Sequence, residues 1–329
     1  MDDADSHPVS AQTMASRGVV RGILMLLGAE FSFALATVFV KLITSSSKVP
    51  AIELSLFRFA AGFLLVAVYV AATGKTLVPA NKKFVVLRSL FNTFAVIFFF
   101  MGIQFSTVTK VNILNMTYPL FVFMLAPIIN REKTTPAYFL YLLLAMAGVY
   151  FVVVPDASGL FGSGINPGDM LGLASGIVAG FAITTLREAR KYDESYIILF
   201  YLMGFGTVVN LMFAAPFFVV PRGTVLVYCI AATALSVLGQ LFITYGYRYI
   251  NAADGALVST SRILFAILMG AIILSETMTA RIISGGAMIL VSLVCVGGIG
   301  GMLRRVILQI NQRFATETQR AQRKIKNER

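Results

Sequence analysis

Apolar residues in this chain run in long unbroken blocks. They show neither the alternation of a half-buried strand nor the rhythm of a helix that turns one face to water. Ten such blocks can be drawn, at 19–43, 51–72, 84–105, 108–129, 136–154, 169–187, 195–219, 224–247, 252–274 and 279–302. Each has about 20 residues or more, the length a helix needs to cross roughly 30 Å of hydrocarbon. No water is present there to bond backbone N–H and C=O groups, so each block must satisfy them within its own helix. The pattern predicts an all-α integral membrane protein with ten transmembrane helices.

The blocks also repeat. Glu132 and Glu276 stand 144 positions apart, and the same offset lays Phe98 on Phe242, Gly102 on Gly246, Leu120 on Leu264, Ile128 on Ile272, Thr135 on Thr279 and Val152 on Val296 without a gap. A Glu-x-x-Thr pair punctuating hydrophobic runs at both places marks a duplicated half. Five spans per half is an odd number, so the second half enters the membrane from the opposite side. That arrangement is an inverted repeat about an axis in the membrane plane. The expected organisation is a disordered cytoplasmic leader at 1–16, repeat one at 17–154, an outside linker at 155–168, repeat two at 169–302 and a basic cytoplasmic tail helix at 303–329. Gly172, Gly176 and Gly180 form a small-residue stripe whose offset mates are Gly28, Ser32 and Ala36, and close helix packing is its expected use.

Composition agrees: with 58% hydrophobic and 13% charged residues, a soluble fold of this length would lack polar surface. Basic residues divide about 20, Lys82, Lys83 and Arg88 among them, to about 5 between the two sets of loops, which puts the larger set and both termini in the cytoplasm. In the tail, Leu303, Val306, Ile307, Ile310 and Phe314 share a face beside Arg304 and Arg305, a pattern suited to anionic headgroups. Membrane lipid is therefore an expected partner, and nucleic acid is not. The only histidine, His7, is in the leader, and Cys229 and Cys295 lie inside spans. Histidine catalysis, a metal cluster and a disulfide framework have no material to work with, and no cofactor is expected. No Gly-rich phosphate loop occurs, which argues against nucleotide-driven pumping.

Pro119 in the fourth span, Glu132 at its close, Thr135-Pro136 entering the fifth, Gly148, and the second copy's Glu276 and Thr279 together resemble the drug/metabolite transporter superfamily, in particular its ten-helix EamA branch. The likeness covers nearly the whole chain. It departs from the family pattern at Ile263 and Ala280, where the second copy often has proline, and at the missing glycine before each of Glu132 and Glu276. The resemblance implies a carrier of small metabolites across the bacterial inner membrane by alternating access. It also implies a central cavity lined largely by the third, fourth, eighth and ninth helices.

An ionisable side chain at mid-bilayer costs at least a few kcal/mol unless it meets a partner or water, so buried charges are the first candidates. Glu30 lies about 17 Å from the inner face and Arg58 about 7 residues in from the outer one, levels that nearly coincide in a span of about 30–35 Å, and Arg262 lies about 15 Å deep. In one reading the three line a cavity in which an unpaired Arg262 fixes a carboxylate or phosphate. In the other, Glu30 and Arg58 form a structural ion pair tying the first helix to the second. Asn112, Asn115 and Tyr118 share one side of the fourth span, and Ser259 and Gln240 stand at compatible depth; these can hydrogen-bond a ligand or a neighbouring helix. Lys110 and Asp254 are repeat mates near opposite membrane faces and suit gating. Glu132 and Glu276 are expected to cap the helices that follow them.

The function these features predict is a secondary transporter for a small polar metabolite, anionic or zwitterionic, as a monomer or homodimer. Proton or exchange coupling would run through Glu30. The alternative is a flippase for a lipid-linked or amphipathic substrate, which needs a lateral opening between helices. A membrane-embedded enzyme lacks an acid pair, a metal cluster or a Ser with a neighbouring base.

Overall fold

The computed structural model describes residues 7–131, 138–153, 166–250, 252–259 and 261–296, and all regular structure among them is helical. The helices are α1 His7–Ser46, α2 Ala51–Thr73, α3 Lys82–Phe105, α4 Val108–Asn115, α5 Tyr118–Ile129, α6 Tyr138–Val153, α7 Pro167–Ala189, α8 Ser195–Ala214, α9 Thr224–Gly246, α10 Ala252–Ser259, α11 Ser261–Ile273 and α12 Ala280–Val296. A 3-10 turn, Ala215–Phe217, extends α8. Seven segments among the described residues are long and apolar enough to cross a membrane, the fourth being Val108–Ile129, which α4 and α5 share. The apolar helices Ser261–Ile273 and Ala280–Ser292 are shorter. Leu64, Ile128 and Met212 are among many large apolar side chains left exposed, as befits a surface whose solvent is lipid.

Two local features differ from expectation. Residues 7–16, read as disordered, continue α1. Extending a helix already nucleated by a long apolar span costs little per residue, and Pro8 sits in the first turn, where its missing N–H is not needed. The fourth span is interrupted at Met116 and Thr117. Pro119 has no N–H to bond the carbonyl of Asn115, and the chain instead closes tighter turns from Thr117 N to Leu114 O at 3.2 Å and from Leu120 N to Thr117 O at 3.0 Å. In the ninth span the described residues are those of α10 and α11, and Ile263 stands at the position of that proline. The linker at 155–165, Glu132, Thr135, Pro136 and the tail at 303–329 lie outside the described residues.

The principal packing partners come from opposite halves of the chain: α3 with α7, α1 with α9, α2 with α8 and α6 with α12. α6 and α12 meet at Gly148 and Gly285, where a Cβ on either would stand 2.6 Å from the other's carbonyl oxygen. Only glycine permits that approach. The α7 stripe packs on the interrupted helix: a Cβ at Gly176 would meet Thr117 Oγ1 at 2.8 Å, and one at Gly180 would meet Phe121 Cβ at 2.4 Å.

Acidic side chains join the halves by accepting backbone N–H groups. Asp193 takes Ala80 N at 2.6 Å and Asn81 N at 3.1 Å just before α3, and Glu53 takes Val219 N at 2.9 Å. Glu276 accepts from Val108 N at 2.7 Å and Thr109 N at 3.0 Å. It therefore caps α4, in the other half, and not the helix that follows it, whose first turn is served by Thr279 Oγ1 from Ile282 N at 3.3 Å. The first N–H groups of α4 have no partners inside their helix and carry the positive end of its dipole, which a carboxylate satisfies better than a hydroxyl.

Candidate functional site

Between α1, α2, α3, α4, α5, α7, α9 and α11 lies a cavity with about 80 Å³ open to the centres of water-sized molecules. A single water needs about 10–15 Å³ by that measure, so the space holds several waters or a small ligand. On α3 the wall is Arg88, Asn92, Phe99 and Phe100, residues at helical spacing that share one face. α9 supplies Ser236 and Gln240, α1 supplies Phe33 and Thr37, and α2 supplies Arg58. Asn115 and Tyr118 come from the ends of α4 and α5 nearest the interruption, and Arg262 from the start of α11.

Arg262 is anchored on three sides. Its Nε donates to Glu30 Oε2 and its Nη2 forms an ion pair with the same oxygen, while Nη1 reaches Asn115 Oδ1 at 3.4 Å. Asn115 in turn donates to Ser175 Oγ at 2.8 Å, which donates to Gly172 O at 2.6 Å. The guanidinium carbon of Arg262 stands 4.8 Å from the centre of the Phe33 ring, and that of Arg58 stands 5.0 Å from the same ring. One aromatic face thus helps to hold two cations that would otherwise repel. Arg58 Nη2 donates to Gln240 Oε1 at 2.9 Å, and Gln240 Nε2 donates to Thr244 Oγ1 at 3.1 Å.

Two expectations change here. Glu30 pairs with Arg262 and not with Arg58, so Arg262 is not the unpaired cation of the site. Depth along a helix follows from the rise per residue, but the partner depends on which way the helix face turns. α1 turns Glu30 toward α11, whereas α2 turns Arg58 toward Gln240 of α9.

Of the other expected residues, Tyr118 is on the wall, and Ser259 is fully buried beside the Tyr118 hydroxyl and the Glu30 carboxylate. Asn112 is behind the wall and bonds Val108 O at 2.9 Å and the wall residue Thr37 Oγ1 at 3.4 Å. Lys110 pairs with Asp169 at 3.6 Å, and Asp169 also accepts from Ser106 Oγ. Asp254 belongs to α10, and its side chain lies outside the described set.

Arg88 was assigned by the sequence to the cytoplasmic loop charges, yet it is 1% exposed and on the cavity wall. Its Nε and Nη1 have no partner. The signal was its position: it lies six residues beyond Lys82, the start of α3, which is about 9 Å along the axis, with Asn92 one turn further on the same face. The site therefore gathers Arg58, Arg88 and Arg262 around one carboxylate, Glu30, among the described residues.

Comparison with known proteins follows this geometry. The EamA-like transporter family matches the chain twice, over residues 20–154 and 166–298. The pseudopaline exporter CntI of Pseudomonas aeruginosa (strain UCBPP-PA14) is 26% identical over 276 residues, covering 82% of this chain and 94% of the relative. Solute carrier family 35 member G1 of Mus musculus is 24% identical over 284 residues, covering 82% and 76%. A solved crystal structure shares the fold with a TM-score of 0.58 at 18% identity, over 89% of this chain and 98% of its own. These relatives are transporters and not enzymes. With both halves matched, this multi-pass membrane protein belongs to the EamA-like transporter family.

Proposed function

We propose that the chain is a secondary transporter that moves a small polar metabolite, anionic or zwitterionic, across the bacterial inner membrane by alternating access. The observation that carries this reading is the cavity whose wall holds three arginines against a single carboxylate among the described residues. Relatives named as an exporter and as a solute carrier support a solute as cargo. Ten crossings arranged as two inverted five-helix repeats, with both termini cytoplasmic, are the topology proposed. Support comes from the packing: exchanging the halves turns the α3 with α7 contact into α1 with α9, and leaves α2 with α8 and α6 with α12 unchanged. Two separate family matches, one per half, point the same way. In this scheme the halves rock about the cavity while the cross-half ties of Glu276 to α4 and of Asp193 to the start of α3 break and reform on alternate sides.

The test is a screen of small anions, zwitterions and cations by thermal shift in detergent, followed by counterflow in proteoliposomes. A variant carrying Glu30→Gln and Arg262→Gln together keeps a neutral bonded pair. Stabilisation by carboxylates or phosphates that disappears in this variant supports the site; stabilisation by cationic compounds alone overturns its sign. Glu30→Gln by itself separates coupling from binding: proton-driven uptake should stop while exchange continues, and equal loss of both removes Glu30 from coupling.

A flippase remains the second reading because of one feature. An apolar groove of about 680 Å³ between α2 and α9, lined by Phe57, Leu65, Leu226 and Ile230 among others, backs onto the wall that carries Arg58 and Gln240. Unchanged access of dithionite to a fluorescent lipid after reconstitution would dismiss it.

A further inference from the structure

The cavity wall is rich in unpartnered donors. Arg58 Nε, Arg88 Nε and Nη1 and Asn92 Nδ2 are each buried and each without a hydrogen-bond partner, against one unpartnered acceptor, Glu30 Oε1, on the carboxylate that Arg262 already holds. Arg262, by contrast, engages Nε, Nη1 and Nη2. A buried donor left unmade is costly, and a buried guanidinium without a counter-charge more so. A wall with this excess of free donors calls for a ligand rich in acceptors.

Charge sets how many negative charges that ligand brings. Glu30 neutralises Arg262, which leaves Arg58 and Arg88 without a carboxylate in ion-pair reach among the described residues. Arg58 is already held by Gln240 and by the Phe33 and Phe59 rings at 5.0 and 5.9 Å, so its orientation is fixed before any ligand arrives. Arg88 and Asn92 present their free donors from one face of α3, one turn apart. Carrying two uncompensated cations through a low-dielectric core is unfavourable, and two negative charges on the cargo cancel them.

Resting on the reading of this cavity as the transport site, we infer that Arg88 and Asn92, with Arg58, form a second anion subsite and that the cargo is a dianion, its negative charge carried on carboxylate or phosphate oxygens. The dianion binds the two free guanidinium groups directly. Arg262, neutralised by Glu30, supplies the polar floor.

The experiment measures binding to the purified full chain in nanodiscs, with lactate as monoanion, succinate as two separated charges and glycerol phosphate as a compact dianion. Wild type should bind succinate or glycerol phosphate at least tenfold more tightly than lactate; which of the two wins tells separated from compact charge, and either supports the subsite. Arg88→Gln should abolish the preference, lowering dianion affinity tenfold or more while lactate affinity moves less than threefold. Should Arg88→Gln fold poorly, Asn92→Ala, which leaves the charges intact, should still lower dianion affinity threefold or more relative to lactate. Equal binding of lactate and both dianions, lost in the Glu30→Gln, Arg262→Gln variant, overturns the dianion inference and leaves the transport reading standing. Binding of no anion by wild type overturns both.

Discussion

The fourth span resumes after its interruption with Tyr118 at the start of α5, and Arg262 stands near the start of α11. The 144-residue offset aligns Tyr118 with Arg262, and the same comparison can be carried around the cavity. Glu30 aligns with Ala174, Arg58 with Leu202, Arg88 with Ala232, and Gln240 with Val96. The glycines behave differently. Gly102 and Gly246 are mates, and each sits where a first helix of the other half approaches closely: Gly168 O would lie 3.0 Å from a Cβ at Gly102, and Gly22 O would lie 3.4 Å from one at Gly246. These packing glycines recur in both halves, and the charged residues of the cavity do not. Two arginines at mated positions would face each other near the axis of the proposed repeat in a low dielectric, where like charges repel strongly. A duplicated scaffold can therefore host a charged site only by breaking its own symmetry, and the residues that break it are the ones assigned to the cargo.

The largest effect tests that asymmetry at its centre. Arg262→Ala strands a fully buried Glu30, and removing one partner of a buried pair costs about 3–5 kcal/mol. Thermal unfolding in detergent should show a large loss for this variant and for Glu30→Ala. The paired Glu30→Gln, Arg262→Gln change should recover most of it, because no charge is left alone. Tyr118→Phe, at the mated position, removes no charge and keeps the packing of the ring, and should lose far less. Equal losses at Arg262 and Tyr118, or a paired variant as unstable as the sum of the singles, would remove the ion pair from its central place.

A smaller effect is expected where the halves are joined. Glu276→Ala deprives Val108 and Thr109 of their acceptor at the head of α4, a loss of about 1–2 kcal/mol by analogy with other N-caps. The contrast is with Thr279→Ala, which touches only the first turn of α12 through a 3.3 Å bond and should cost less. A larger effect at Thr279 than at Glu276 would mean that the local cap outranks the tie between halves.

How far the sequence could anticipate this follows from the kind of information each feature needs. Long apolar blocks and a fixed offset declare spans and duplication, because hydrocarbon thickness imposes both length and composition. Pro119 announces the interruption at Thr117. Depth placed Glu30, Arg58 and Arg262 near one level, but pairing needs the rotation of each helix, and that comes only from packing. Glu276 was assigned to its neighbour in sequence because local rules find local partners; its actual partners are 168 and 167 residues away. Arg88 was lost to a different rule, since charges near span ends are read as orientation signals.

The smallest effect sharpens the comparison at a pair of mates that are both polar. Asn115 and Ser259 align under the offset, yet Asn115 bonds Ser175 and Arg262 across helices while the Ser259 hydroxyl lies beside Glu30 and Tyr118. Asn115→Ala should lower stability by about 1–2 kcal/mol, the usual cost of leaving a buried partner unsatisfied. Ser259→Ala removes a smaller group beside a carboxylate that Arg262 already holds and should cost less than Asn115→Ala in the same unfolding assay. If Ser259 serves the cargo, its removal should still slow counterflow severalfold with the fold intact. A stable Ser259→Ala protein with unchanged transport would assign that hydroxyl to neither stability nor cargo, and would confine the ligand to the arginine side of the cavity.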